Sequence, residues 1–109
     1  MEEVEIFTPT ELKAESYKKL LSDFFKEVSD DLELLNAALK ELRLEEMRRL
    51  AHKIKGTASS YSAVLLFTKA KQLEILVQDK AIIKLEIGLK ELASAIERSL
   101  DYAKENFMN

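Results

Sequence analysis

The 109-residue chain carries a single histidine, His52, in the segment Ala51-His52-Lys53-Ile54-Lys55-Gly56. An imidazole with an unperturbed pKa of about 6.5 is largely neutral at pH 7, so its unprotonated nitrogen can act as a nucleophile. That chemistry needs exposure, a cationic neighbour and no bulky residue above the ring. Apolar residues at Leu44, Met47, Ala51, Ile54, Ala58 and Tyr61 recur around it at spacings of three and four, the pattern of a helix with one buried face. At about 100° per residue, His52 lies roughly 140° from that face and Gly56 roughly 180° from it. Lys55 falls on the flank, about 80° away, while Arg48 and Ser59 share the side of His52. The imidazole is therefore expected to face solvent, with Lys55 close enough to neutralise an anionic group attached to it.

Gly56 strengthens this reading. A glycine inside a helix costs about 1 kcal/mol relative to alanine, and this one lies one turn beyond His52, where a side chain would cover the ring. Each signal also has a plainer explanation. Gly56 could end the helix, because glycine favours that position and Gly56-Thr57-Ala58-Ser59-Ser60 is a weak helix former. Lys53 and Lys55 could be ordinary solvated charges. Against a helix end, Ala58 and Tyr61 continue the apolar stripe in register.

The elements that must hold these residues are helical. One proline, two glycines and an apolar content of 47% leave no strand-and-turn punctuation but enough material for a core. Three further stripes have the same spacing: Leu21, Phe25, Val28, Leu32, Leu35, Leu39 and Leu42; then Leu66, Ala70, Leu73 and Val77, widened by Leu65 and Leu76; then Ile82, Leu85, Leu89, Leu92, Ile96, Leu100, Ala103 and Phe107. The breaks fall around residues 41–44, 61–64 and 79–82. Short connections between long amphipathic helices predict an all-α, antiparallel up-down-up-down four-helix bundle, a single domain over residues 1–109. Thr8-Pro9-Thr10-Glu11 has the form of a helix start and leaves room for a short leading helix.

Composition removes several function classes. A net charge of -3 opposes nonspecific nucleic-acid binding, which depends on a basic surface. No apolar run reaches the 18 residues of a membrane span. The absence of cysteine excludes disulfides, thiolate metal sites and cysteine nucleophiles. The acidic start Met1-Glu2-Glu3 is unlike a signal peptide, so a cytoplasmic location is expected. A carboxylate-bridged metal bundle uses a Glu-x-x-His pair from each of two helices. One histidine cannot supply two, and Arg49 stands three residues before His52. Hydrolase chemistry lacks a Gly-x-Ser-x-Gly sequence.

Ala51-His52-Lys53-Ile54-Lys55-Gly56 resembles the His-x-(Leu/Ile)-Lys-Gly signature, usually preceded by alanine, of the histidine phosphotransfer (HPt) domains of two-component signalling. Residues 16–42, with Phe24-Phe25, look like that family's first long helix. Residues 44–50 are similar to the lead-in to its histidine, and Gln72-Leu73-Glu74 to the leucine-glutamate element of the next helix. The resemblance implies a phosphoryl carrier and not an enzyme. His52 would accept a phosphoryl group through Nε2 from a receiver domain or a histidine kinase and pass it on. The partner receiver would bring Mg²⁺, and the chain would bind no cofactor or metal of its own. Lys55, Gly56, Glu74 and Lys71 would support the histidine, while Arg48, Ser59 and Phe67 would meet the partner. The chain is expected to act as a monomer.

The match to chemotaxis-kinase phosphotransfer domains implies that Glu74 bonds the second imidazole nitrogen. Helical geometry puts Glu74 about 70° from its stripe, on the flank of Phe67 and Lys71, so a surface pair with Lys71 is the competing arrangement. Where the family often has a second glycine, ten residues after the histidine, this chain has Ser62, which puts the geometry of that helix end in question. The functional alternative from another class is a helical interaction module without phosphoryl chemistry; retention of His52, Lys55 and Gly56 weighs against it.

Overall fold

The structure, a computed structural model, describes residues 14–107, with side chains from residue 18 onward; the helix start expected at Thr8 lies outside them. Four helices follow in order: α1 (Ala14–Lys40), α2 (Leu44–Ser60), α3 (Val64–Gln78) and α4 (Ile82–Asn106). They form an antiparallel bundle in which each helix packs on its sequence neighbours and α1 closes the ring against α4. The 27 residues of α1, at about 1.5 Å each, account for the 41 Å long dimension.

The four stripes converge on one core. Leu21, Val28, Leu35, Met47, Ile54, Leu66, Leu73, Leu85 and Leu92 are fully buried. The buried arc is wider than a single line of residues: Phe24, Leu50 and Ala95, all outside the expected stripes, are buried as well. Phe24 stacks on Tyr61 with ring centroids 4.6 Å apart and meets Phe25 edge-on at 4.9 Å, which ties α1 to the end of α2. Two expected members do not belong. Leu42 is 52% exposed because it lies in the turn after α1, and Ile82 is 43% exposed because it opens α4 beyond the last turn of α3. Between α3 and α4, a Cβ on Gly88 would stand 2.8 Å from Leu76 Cδ1, so the two helices approach closely there.

All three connections have the same construction. Each is three residues long, and its middle residue has a left-handed backbone: Leu42 at φ 51°, Ser62 at φ 57° and Lys80 at φ 54°. In each, the left-handed residue donates its N–H three residues back and the next residue donates five residues back. The pairs are Leu42 to Leu39 O and Arg43 to Ala38 O, Ser62 to Ser59 O and Ala63 to Ala58 O, and Lys80 to Val77 O and Ala81 to Leu76 O, all between 2.8 and 3.1 Å. This double bond is the Schellman motif, which satisfies the last carbonyls of a helix and normally places glycine at the left-handed position. Here none of the three is glycine. The following helices begin without a side-chain cap at Arg43, Ala63 or Ala81. In α2, Glu45 and Glu46 in the first turn compensate by facing the positive end of the helix dipole.

Ser62 thus adopts the conformation for which the related domains' glycine is suited. The left-handed region costs an L-residue about 1–2 kcal/mol, while glycine loses about 0.5–1 kcal/mol more backbone entropy on folding. Ser62→Gly is therefore expected to raise stability by about 0.5–1 kcal/mol, seen as a higher urea midpoint at unchanged m-value. Ser62→Ala, which keeps the Cβ, should show no such gain.

Candidate functional site

His52 stands midway along α2 with its side chain 63% exposed, on the solvent side where its angular position put it. Its Nδ1 lies 3.0 Å from Oε2 of Glu74 on α3. The other oxygen of the same carboxylate, Oε1, is 2.8 Å from Nζ of Lys55. His52 and Lys55 are three residues apart and so share one side of α2, where a single carboxylate across the α2–α3 seam can serve both. Glu74 is not on the surface and does not pair with Lys71; only 9% of its side chain is accessible.

Burial pushes the Glu74 carboxyl upward, but the hydrogen bonds from Lys55 and His52, with their charges, outweigh it and hold the group below its ordinary 4.5. It is therefore ionised at neutral pH and can only accept. The proton between it and neutral His52 must then sit on Nδ1, which leaves the lone pair on Nε2 directed away from Glu74. The ring is thus tethered at Nδ1, and most of the His52 side chain remains open to solvent.

Lys53 does on the other flank what Lys55 does here. Its Nζ donates to Asp31 Oδ1 at 3.1 Å and lies 3.6 Å from Glu27 Oε2, both on α1. Asp31 is buried, and the hydrogen bond to it, with the Asp31 and Glu27 charges, raises the Lys53 pKa against the opposing effect of burial. Neither lysine beside His52 is a plain solvated charge. The partnership with α1 was not anticipated, although Asp31 stands three residues after Val28 and four before Leu35, a carboxylate at the spacing of the buried stripe.

Gly56 is inside α2, not at its end, and a Cβ added there would meet nothing within 4 Å. No packing contact requires the glycine, so the space over it is open to solvent. Beyond it, Ser59 and Phe67 line a concave site of about 260 Å³ with Ala58, Ser62, Ala63 and Val64. Two of the residues expected to meet a partner therefore come together. Arg48, the third, lies one turn on the other side of His52, where its Nε donates to Glu45 Oε2 at 3.2 Å and Nη2 bonds the same oxygen. Lys71 is exposed and makes no ion pair among the described residues. The network does not include it.

A profile of the Hpt domain matches residues 19–102, which takes in all of α2 and α3 and nearly all of the bundle. The chain belongs to the Hpt domain family. It is thus a phosphotransfer module of the two-component signalling type. No curated protein and no solved structure matches the sequence significantly. Among the described residues of this Hpt domain, no helix is long and apolar enough to cross a membrane.

The exposed pair of Arg48 with Glu45 is screened by solvent and contributes little to stability. Removing a hydrogen-bond partner from a buried charge costs about 1–3 kcal/mol, which is the scale for Glu74. Glu74→Gln should destabilise the domain by about 1–2 kcal/mol near pH 7. Because the folded-state pKa of Glu74 is depressed, its contribution is complete above the unfolded value and lost as pH falls through the folded one. The gap between wild type and Glu74→Gln in urea titrations should therefore close in acid. In ¹⁵N spectra, neutral His52 should carry its proton on Nδ1, and Glu74→Gln should lose that preference.

Proposed function

We propose that this Hpt domain carries a phosphoryl group on Nε2 of His52, exchanging it with the receiver domains of response regulators or accepting it from a histidine kinase. The observation that carries the reading is the contact of Nδ1 with the buried Glu74 carboxylate on a side chain otherwise open to solvent, which favours the tautomer with its lone pair on Nε2. In the forward step the Nε2 lone pair attacks the phosphorus of an aspartyl phosphate. The N–P bond forms as the P–O bond to the aspartate breaks, and the aspartate leaves as its carboxylate. The ring gains positive charge, and Glu74, accepting from Nδ1–H, stabilises it. The reverse step uses the same contacts.

The division of labour follows from the residues. His52 supplies the nucleophile, Glu74 its orientation and Lys55 a counter-charge that, with His52, holds the Glu74 carboxyl below its ordinary value. Gly56 supplies the approach, since a receiver must bring its aspartate within bonding distance of Nε2. Ser59 and Phe67, at the concave site beside that approach, are suited to contact the receiver. The Mg²⁺ needed to neutralise the transferring group is assigned to the receiver, and the chain acts as carrier in place of catalyst. Cytoplasmic location and action as a monomer belong to the same reading.

Incubation with a phosphorylated receiver and Mg²⁺ should transfer label to His52 in an acid-labile, base-stable form. His52→Gln should abolish uptake without unfolding the bundle; label acquired at the wild-type rate would refute the assignment. Gly56→Leu should keep the fold, because the space above Gly56 is open and leucine is the better helix former. Its transfer rate should fall on the order of tenfold or more. Unchanged kinetics in that variant would remove the access role of Gly56.

A further inference from the structure

Phosphorylation of His52 would place roughly two negative charges on a ring nitrogen that had none. Glu74 of α3 bonds the ring itself; the other charged groups to weigh are Glu45, Arg48, Lys53 and Lys55 on α2, Glu27 and Asp31 of α1, which hold Lys53, and Lys71 on α3. They differ in what each must give up to reach a phosphoryl group. Lys53 is turned to α1 by Asp31 and Glu27. Lys55 is three-quarters buried and donates to Glu74; leaving it would strip a buried carboxylate of its one fully cationic partner. Arg48 gives up only Glu45, whose side chain is 81% exposed and is at once rehydrated.

Geometry favours the same residue. Arg48 and His52 are four apart, adjacent on the helix surface. Side chains of a helix lean toward its N-terminus, so the imidazole lies over the turn that carries Arg48. The guanidinium is already within the field of Glu74, which adds a small attraction to the dominant one from Glu45. Its planar fork can take two phosphoryl oxygens at once, which an ammonium cannot.

We infer that Arg48 is the residue that clamps the phosphoryl group, exchanging Glu45 for it, while Lys55 stays on Glu74 as a positioning residue. Lys55, three residues after His52, is already committed to Glu74. The inference rests on His52 being the phosphorylated residue, and its test separates the two. The domain is phosphorylated with phosphoramidate, a small donor that needs no protein partner, and the phosphohistidine is followed by ³¹P NMR as pH is varied. A cation held on the phosphoryl group favours its dianion and lowers its second pKa. Arg48→Gln should raise that pKa by about half a unit or more, and Lys55→Gln should leave it nearly unchanged. Glu45→Gln, which frees Arg48, should lower it. A rise confined to Lys55→Gln or to Lys71→Gln, or no rise in any variant, would overturn the assignment to Arg48. Absence of phosphohistidine in the wild type, or its survival in His52→Gln, would instead bring down the carrier reading on which it stands.

Discussion

One carboxylate organises the site. Glu74 is buried between α2 and α3, and both of its oxygens are taken by residues of α2 one turn apart. A buried anion is tolerable only with partners, and here the partners are the proposed nucleophile and the cation beside it. The requirement runs in both directions. Lys55 helps hold the Glu74 carboxyl below its ordinary value against burial, and an ionised Glu74 favours the proton of a neutral imidazole on Nδ1. The seam between α2 and α3 must therefore hold its register, because a slip of one residue turns each side chain by about 100° and separates all three groups. The apolar packing of Ile54, Ala58, Leu66, Ala70 and Leu73 supplies that register.

On α2 the same device is used twice. Asp31 and Glu74 are the two carboxylates among the buried polar residues described, and each receives a lysine from α2, Lys53 toward α1 and Lys55 toward α3. The two lysines are about 160° apart around the helix, so they fix its rotation from opposite sides with His52 between them. Ion pairs of this kind add little net stability, since desolvation offsets their attraction. What they specify is orientation, on which the proposed transfer between His52 and a partner's aspartate would depend.

The bundle was legible because helical periodicity records burial directly. The three breaks fall within a residue of their expected places, the stripes hold apart from Leu42 and Ile82, and the exposure of His52 follows from angle alone. Phe24 and Leu50 were missed because a stripe one residue wide understates the arc that a four-helix bundle buries. Glu74 marks the limit of the method. Its angle put it on a flank, but periodicity does not say which neighbour covers a flank, so pairing with Lys71 and pairing across the seam looked alike. Asp31 failed for a different reason: a charged residue in an apolar stripe reads as noise until a cation on another helix answers it. The substitution of Ser62 for glycine was visible in the sequence, yet its meaning required the backbone, where position 62 proves to be left-handed.

The joints of this bundle have a consequence for how such a domain can diversify. Each of the three connections closes in three residues through a fixed pair of backbone hydrogen bonds, and the next helix starts at once. Among the described residues there is no longer loop to extend or re-aim. Many binding proteins keep a rigid scaffold and vary the segments between its elements. The described connections offer no such segment, so under the proposed function discrimination among partners would fall to single side chains on helix surfaces, each at a fixed height and angle around His52. A change of allegiance would then be written as point substitutions on α2 and α3, with the backbone unmoved.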